Sequence, residues 1–198
     1  MKIVVIGGTG PVGSKLVEKL CSDGHELLAS PDGAQVVVDV ANASSRDLLA
    51  AESAARVAHH VMLSAIGAER QEEVVKTGPV PYTILRTTPF FESIGDLADS
   101  STDRDTVRVP SVLIQPVAAD DVASTLADVA LGSPLNDTVE LAGPEAFRLD
   151  ELVRRLLDAI HDGRRVTTDV QVNGRALQPG DDARIASTRF DEWLTSRS

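Results

Sequence analysis

Apolar and polar residues follow one another along this chain in blocks that predict strands and helices in turn. Residues 2–6 form a short apolar run, and apolar residues then recur at helical spacing over residues 12–21. The continuous apolar run at 35–41 is typical of a parallel strand buried on both faces. Further strands are predicted at residues 26–30, 61–66, 81–86, 106–109, 112–117, 138–142 and 165–170, and further helices at 46–57, 71–77, 120–130, 149–160 and 190–194. This alternation predicts an α/β fold, a doubly wound parallel sheet covered by helices.

A glycine-rich turn joins the first predicted strand to the first predicted helix. Residues 7–13 have the sequence Gly-Gly-Thr-Gly-Pro-Val-Gly. Its glycines permit a tight turn, let backbone N–H groups approach a pyrophosphate, and let the helix pack closely on the strand. The helix N-terminus adds unpaired N–H groups and the positive end of the helix dipole. The pattern predicts a Rossmann dinucleotide site with a pyrophosphate lined by Gly7, Thr9, Gly10, Pro11 and Val12; the alternative is a turn that binds nothing.

Composition limits the possible partners. The 198 residues favour one domain, and no apolar run reaches the ~18 residues that a membrane-spanning helix needs. Acidic residues outnumber basic residues by 30 to 19, and the resulting net charge of −11 argues against nonspecific binding of nucleic acid. The single cysteine excludes an internal disulfide, and no basic-then-apolar leader precedes the first strand. We expect a cytoplasmic protein; the sequence leaves its oligomeric state open.

The connection between the second and third predicted strands is too short for a standard crossover. Residues 31–34 separate a strand that ends at Ser30 from one that begins at Gln35, whereas a parallel crossover needs about a dozen residues. Five Cα–Cα steps reach at most ~18 Å, and the required span is at least ~19 Å. We therefore expect either that the third strand is not parallel in the usual place or that residues are missing after Ser30.

Five segments together resemble the atypical short-chain dehydrogenase/reductase proteins, specifically the NmrA-like NAD(P)-binding family. They are residues 1–10, 61–67, 81–92, 114–123 and 141–145. The resemblance covers most of residues 1–160. It implies a single Rossmann domain over 1–198, in which residues 89–198 contribute a small C-terminal substrate-side region.

The chain also departs from this family. Relatives are usually some tens of residues longer, and this chain is short after Ser30, after Asn42, after Arg70 and near Thr168. Many relatives carry a Tyr-x-x-x-Lys pair, which this chain lacks; Tyr82 is its only tyrosine. The departures bear directly on catalysis, because that pair supplies the proton in many relatives.

The resemblance places several residues around an NAD(P) cofactor. Ser30 follows the second strand, where a serine in place of an acid favours NADP, although NAD remains possible and a plain turn residue is the alternative. Ala41 and Asn42 would border adenine and ribose; an Asx-turn is the alternative for Asn42. Ser64 and Ala65 would lie beneath the nicotinamide. Ser64 matches the family's catalytic serine or threonine, and its alternative is a buried hydroxyl bonded to backbone.

A second segment of the resemblance borders the substrate. Pro89, Phe90 and Phe91 leave the strand that ends near residue 86 and would adjoin the nicotinamide and substrate pocket. Aromatic rings at this place could stack on a flat substrate such as a quinone. Core packing is the alternative for one of the two rings.

Other chemistry-bearing residues have structural interpretations. We expect Cys21 on the buried face of the first helix and Tyr82 in the core. His59 and His60 are interpreted as loop residues before a strand, because adjacent histidines lack metal-ligand spacing on one helix face.

Two acidic pairs are interpreted in the same way. Glu72 and Glu73 are expected on the solvated face of a helix. Asp120 and Asp121 are expected at a helix start, where they cap the helix and complement its dipole.

Two hypotheses for function follow. The first is an NADP(H)-dependent oxidoreductase that acts on a small carbonyl or quinone. The second is a non-catalytic redox sensor that binds NADP(H) and signals through a protein partner. The missing Tyr-x-x-x-Lys pair favours the sensor, whereas flat hydride acceptors do not always require the tyrosine.

Overall fold

The computed structural model describes residues 1–169 and 177–196, which form two compact units. The first unit comprises Met1–Thr87 and Ala119–Leu141, and the second comprises Thr88–Ala118 and Ala142–Ser198. In chain order the elements are β1 (Lys2–Ile6), α1 (Pro11–Ser22), β2 (Glu26–Leu28), β3 (Val36–Asp39), α2 (Arg46–Ala54), β4 (His59–Ala65), α3 (Glu69–Lys76), β5 (Tyr82–Thr87), α4 (Ser93–Ser100), β6 (Thr102–Asp103), β7 (Thr106–Pro110), β8 (Leu113–Ile114), α5 (Ala119–Leu131), β9 (Asp137–Ala142), β10 (Phe147–Arg148), α6 (Leu149–Ala159), β11 (Arg165–Asp169), β12 (Arg184–Ile185) and α7 (Phe190–Thr195).

The first unit is built on a parallel sheet flanked by helices. Its strands run in the order β9-β5-β4-β3-β1-β2, and every neighbouring pair is parallel. From β1 the chain moves outward to β2 and then returns to β3 on the other side of β1. The strand order therefore reverses between β1 and β3, the place where open α/β sheets bind ligands. The predicted α/β class and parallel sheet are confirmed.

Burial explains why the central strands read as continuous apolar runs. Every residue of β3 is buried, and Val37 and Val38 have no exposed surface. In β4 the pattern is more mixed, because polar His59, His60 and Ser64 are buried beside apolar residues. Successive side chains of a strand point to opposite faces, so His60 and Ser64 share one face and His59 lies on the other.

The connection between β2 and β3 is long enough for a parallel arrangement, contrary to the expectation from the sequence. The third strand is parallel to β1 in the usual place. The expectation was wrong because β2 ends at Leu28, which leaves eight Cα steps to Val36 and a reach of up to ~29 Å. In addition, Leu28 lies beside Val4 and Val36 beside Ile3. The chain therefore returns only about one residue, ~3.3 Å, along the strand axis.

The second unit has its own small sheets and its own core. β11 is parallel to β7, β6 is antiparallel to β7, and β10 pairs antiparallel with β8. Strand β8 covers only Leu113–Ile114, so the strand predicted at 112–117 is shorter than expected. The strand predicted at 165–170 is confirmed as far as Asp169, and residue 170 lies outside the described residues. A cluster of apolar side chains from α4, α6, α7 and the adjoining strands forms the core of this unit, and it includes Phe91, Phe190 and Trp193.

The position of Cys21 differs from the prediction. This residue is exposed, so its predicted place on the buried face of the first helix is wrong. The face of α1 that is buried carries Val12, Leu16 and Leu20 instead.

Across the described residues, no helix has both the length and the apolar character needed to span a membrane.

Candidate functional site

The glycine-rich turn follows β1 at the point where the strand order reverses. Gly7 has a φ of +83°, a left-handed conformation that favours glycine. The Gly10 N–H donates to the Gly7 carbonyl at 3.1 Å and closes the turn. A Cβ on Gly7 would lie 2.8 Å from the Cβ of Ala41, so the loop after β3 packs directly against this turn.

Gly13 is required for the packing of α1 on this turn. A Cβ at Gly13 would lie 2.1 Å from the Gly7 carbonyl oxygen and 2.8 Å from the Gly8 Cα. Helix α1 begins at Pro11 with Gly10 as its N-cap, and within the described residues no side chain caps it. The first N–H groups of the helix are therefore left for another acceptor, which suits a pyrophosphate. Thr9 and Pro11 are exposed here, and the Val12 side chain is buried.

The loop after β3 is organised by a buried carboxylate. Asp39 has no exposed surface, and its Oδ1 accepts hydrogen bonds from the N–H groups of Ala41 at 3.0 Å and Ala43 at 3.1 Å. The Asx-turn at this place is thus made by Asp39. Ala41 and Asn42 are exposed, and Asn42 takes a φ of +53°, which asparagine tolerates better than most residues.

Hydrogen bonds extend from this loop into the interior. The Ser44 hydroxyl lies 2.5 Å from Asp39 Oδ2 and 3.1 Å from His60 Nε2. His60 Nδ1 lies 2.8 Å from Glu52 Oε2, and both side chains are fully buried. The interpretation of His60 as a loop residue is therefore wrong: it belongs to β4 and bonds to a glutamate of α2.

A second buried glutamate lies beneath the other end of β4. Glu72 is fully buried, so its predicted solvated position is wrong. Its Oε1 accepts from Ser64 Oγ at 2.8 Å and from Arg86 Nε at 2.8 Å, and its Oε2 accepts from Lys76 Nζ at 2.9 Å and from a second nitrogen of Arg86 at 2.6 Å. Arg86 also donates to Glu140 at 2.9 Å. Burial raises the pKa of Glu72, but the hydrogen bonds from Arg86, Lys76 and Ser64 outweigh it and lower that pKa to about 2.

These contacts limit the chemical roles that are open to Ser64 and Tyr82. The Ser64 hydroxyl is buried as expected, but it donates to a carboxylate rather than to backbone. Ala65 ends β4 and is exposed. Tyr82 begins β5 and is half-buried, whereas Ser64 is the register partner of Arg86. Four residues of strand therefore separate Tyr82 from this position, a distance of ~13 Å.

His59 lies on the opposite face of β4 from His60. Its Nε2 is 2.9 Å from Thr83 Oγ1, which also accepts from the Leu135 N–H at 3.0 Å. Burial, together with the neighbouring His60, lowers the pKa of His59 below 6.5, although a backbone hydrogen bond with Gly132 opposes this. His59 is a buried strand residue, so its loop interpretation is also wrong.

The remaining predicted positions of the first unit are at its surface. Ser30 is exposed in the bend that follows β2, and the Ala34 N–H closes the next turn on the Pro31 carbonyl. Asp120 and Asp121 lie in the first turn of α5, as predicted. The Asp120 carboxylate bonds to Lys15 at 2.8 Å.

The predicted aromatic segment belongs to the second unit. Pro89 and Phe90 are half-buried, and Phe91 has no exposed surface. The ring of Phe91 lies 5.3 Å from that of Phe190 and 5.4 Å from that of Trp193. This arrangement matches the core-packing alternative for one of the two rings.

No protein-family model and no curated protein sequence matches the chain. Solved structures do. The Streptomyces venezuelae dTDP-glucose 4,6-dehydratase DesIV, with NAD and TYD bound, shares 15% identity over 99% of this chain and 95% of its own, with a TM-score of 0.73. A short-chain dehydrogenase/reductase superfamily protein from Agrobacterium tumefaciens, with bound NAD, shares 15% identity over 99% and 95%, with a TM-score of 0.68.

A third structure extends the comparison to another activity. The NADPH-dependent quinone oxidoreductase QOR2 from Escherichia coli shares 16% identity over 85% of this chain and 78% of its own, with a TM-score of 0.67. At these identities the likeness is one of fold. The chain thus shares the parallel, helix-flanked α/β fold of these proteins, in line with its glycine-rich turn and strand order.

Proposed function

We propose that this chain binds NADP(H) at the glycine-rich turn and is an oxidoreductase that acts on a small carbonyl or a quinone. The observation that carries the proposal is the turn itself. Gly7 is left-handed, Gly13 touches the Gly7 carbonyl closely, and no side chain of the described residues caps α1. Such an arrangement leaves backbone N–H groups for a pyrophosphate. Structures with NAD bound, and an NADPH-dependent enzyme, share the fold.

The cofactor contacts follow from this placement. Gly7, Thr9, Gly10, Pro11 and Val12 would hold the pyrophosphate. The exposed loop residues Ala41 and Asn42 would border the adenosine, with Ser64 and Ala65 towards the nicotinamide. A bound nicotinamide dinucleotide supplies or accepts a hydride, and the protein orients it.

Preference for NADP rests on the end of β2. Ser30 is exposed just beyond that strand, and residues 28–30 contain no acid that would repel a 2′-phosphate. An aspartate or glutamate at such a strand end bonds the 2′-hydroxyl of NAD. The variant Ser30→Asp should therefore weaken NADP⁺ binding about tenfold or more and leave NAD⁺ binding equal or tighter; equal weakening of both would contradict the assignment.

The site favours acceptors that need no proton from a tyrosine. Ser64 Oγ already donates to Glu72, and Tyr82 lies at the far end of β5. A quinone reduced by a hydride can take its proton from water after the transfer, which makes a quinone the better candidate within the proposed substrate class.

One observation also supports the sensor. Because the Ser64 hydroxyl is committed to a buried carboxylate whose charge is held by Arg86 and Lys76, this position offers no free acid. A protein that binds oxidised and reduced cofactor with different affinities, without turnover, would need none. Protein mixed with NADPH and a panel of quinones and aldehydes, followed by absorbance of the reduced cofactor, distinguishes the two: turnover above background supports the enzyme.

Binding itself is tested by Gly10→Ala. A Cβ at Gly10 would meet its nearest neighbour, the Gly7 oxygen, at 3.5 Å, an ordinary contact. The variant should therefore fold, yet its methyl group would stand where the pyrophosphate approaches. Calorimetry should show at least about tenfold weaker NADP⁺ binding, equivalent to ~1.4 kcal/mol.

The matched control is Gly95→Ala in α4, where a Cβ meets nothing within 4 Å. It should bind NADP⁺ like the wild type. Unchanged binding by Gly10→Ala, or no binding of either nucleotide by the wild type at millimolar concentration, would overturn the proposed function.

A further inference from the structure

Asp39 ends β3, an inner strand of the parallel sheet, and holds the loop that follows this strand. It lies beside Ile6 of β1 on one side and Met62 of β4 on the other, and it has no exposed surface. Its Oδ1 accepts from the N–H groups of Ala41 at 3.0 Å and Ala43 at 3.1 Å. The carboxyl group therefore ties an exposed loop to a buried strand.

This loop lies directly against the glycine-rich turn. A Cβ on Gly7 would lie 2.8 Å from the Ala41 Cβ and 3.1 Å from the Ala41 nitrogen. That nitrogen carries the same N–H group that donates to Asp39. Any movement of Ala41 away from Asp39 therefore changes one wall of the proposed pyrophosphate site.

The hydrogen bonds of the loop also determine which of its groups can meet a ligand. The Val40 N–H donates to a carbonyl of β1 at 3.0 Å, and those of Ala41 and Ala43 are taken by Asp39. Asn42 is exposed, and neither its N–H nor its side chain has a hydrogen-bond partner among the described residues. Asp39 thus leaves Asn42 as the polar residue of residues 40–43 that can contact the adenosine.

Hydrogen bonding and charge at Asp39 act in opposite directions on an anionic ligand. Within the described part of the chain, no lysine or arginine forms an ion pair with Asp39. A carboxylate close behind the turn repels a pyrophosphate, since like charges in a poorly solvated place interact strongly. The two N–H groups of the loop, in contrast, need only an acceptor oxygen, which a neutral amide also supplies.

We propose that Asp39 is a positioning residue of the nucleotide site, which holds the loop at 41–43 against Gly7 as a hydrogen-bond acceptor and not through its charge. This proposal rests on the proposed function and names the residue that shapes the adenosine side of the same site. A loop that is already held in place spares the nucleotide the free-energy cost of ordering it.

Two substitutions separate the acceptor from the charge. Asp39→Asn keeps an oxygen for the two N–H groups and can donate to Ser44, the partner of the second carboxyl oxygen, but it removes the charge. Asp39→Leu has nearly the same branched shape and has no acceptor. In calorimetry, Asp39→Asn should bind NADP⁺ as tightly as the wild type or more tightly. Asp39→Leu should bind at least about fivefold more weakly, because the nucleotide must then order the loop.

Melting temperatures distinguish positioning from a merely structural role. Both variants should melt lower than the wild type, since the amide of Asp39→Asn brings two hydrogens and Ser44 accepts only one of them. A merely structural role would weaken binding in both variants. Ser45→Ala is the matched control, because the Ser45 hydroxyl caps α2 by accepting from the Leu48 N–H instead of bonding to Asp39. It should melt lower and bind NADP⁺ like the wild type.

Amide hydrogen exchange, measured by NMR, tests the hold on the loop without a ligand. In the wild type and in Asp39→Asn, the amides of Ala41 and Ala43 should exchange slowly although both residues are exposed, whereas the Asn42 amide should exchange quickly. In Asp39→Leu all three should exchange quickly. If Asp39→Leu does not fold, the wild type and Asp39→Asn still decide the question.

Three results would refute the proposal: weaker NADP⁺ binding by Asp39→Asn than by the wild type, wild-type affinity in a folded Asp39→Leu, or fast exchange of the Ala41 and Ala43 amides in the wild type. Failure of the proposed function looks different. In that case the wild type binds neither NADP⁺ nor NAD⁺, although the amides of Ala41 and Ala43 are protected.

Discussion

Glu52 and Glu72 are both fully buried, and each bonds to a polar side chain on the same face of β4, eight residues away in the sequence. Glu72 receives hydrogen bonds from Arg86 and Lys76, whose charges are permanent near neutrality. Glu52 receives only those of His60, among the bonds of the described residues. One carboxylate is therefore paired with two permanent cations and the other with a histidine.

The two sites differ in position as well as in charge. The Glu72 site lies under the carboxyl-terminal half of β4 and ties α3 to β5 and β9 through Arg86. The Glu52 site leads through Ser44 and Asp39 to the loop beside Gly7. We infer that the Glu72 site mainly stabilises the sheet, whereas the Glu52 site supports the loop beside Gly7.

Removal of Glu72 is the largest expected effect. Glu72→Ala leaves Lys76 and one side of Arg86 without their buried acceptor, and breaking such a pair costs about 3–5 kcal/mol of the free energy of unfolding. Urea denaturation measures it. The adjacent, exposed Glu73→Ala should change the stability by no more than about 0.5 kcal/mol. Similar losses in both variants would show that the Glu72 pairs contribute little.

Acid titration tests the same site by a second route. Hydrogen bonding lowers the pKa of Glu72 from 4.5 to about 2 in the folded chain. Its contribution is thus fully present above pH 4.5 and is lost as the pH falls from 4.5 towards 2. The stability of Glu72→Gln should fall less steeply than that of the wild type in this range. The effect must be measured as the difference in stability between the variant and the wild type, because the pKa of Asp150 in the second unit is also lowered to about 2.

Neutralising Glu52 should have a smaller effect. Glu52→Gln keeps an oxygen that accepts from His60 but removes the negative charge from this buried pair. We expect a loss of about 1–3 kcal/mol in the free energy of unfolding. Chemical denaturation measures it. A loss as large as that of Glu72→Ala would remove the contrast between the two sites.

His59 should give the smallest effect, and this effect should depend on pH. Burial favours the neutral form of His59 and lowers its folded pKa below 6.5, so its contribution is present above pH 6.5 and is lost as the pH falls below that value. His59→Gln should flatten the slope of stability against pH between about 5 and 6.5. The exposed His161→Asn should leave the slope unchanged; a slope that persists in His59→Gln would assign it to another group.

The sequence predicted those features that depend on neighbours along the chain. The first strand, the glycine-rich turn and α1 are confirmed because turn and helix signals are local. The buried run of β3 is also local. The link from β2 to β3 was misjudged because the end of β2 was placed at Ser30 instead of Leu28. This difference of two residues decides whether the connection is long enough to reach from β2 to β3.

The burial of polar side chains could not be predicted from neighbouring residues. The residues next to His60 and Glu72 in the sequence do not indicate that each side chain forms hydrogen bonds with a partner from another element. A buried polar residue becomes tolerable only once the fold brings its partner. The apolar residues at 61–66 indicate the strand, but β4 already begins at His59, two polar residues earlier.

The central claim is that the turn at residues 7–13 binds a nicotinamide dinucleotide, and an NMR titration of the ¹⁵N-labelled protein with NADP⁺ tests it most directly. If the turn binds the cofactor, the backbone amide signals of Gly10, Val12 and Gly13 shift most, followed by those of Ala41 and Asn42. Saturating shifts confined to other residues, or no shift of these amides at millimolar NADP⁺, would contradict it.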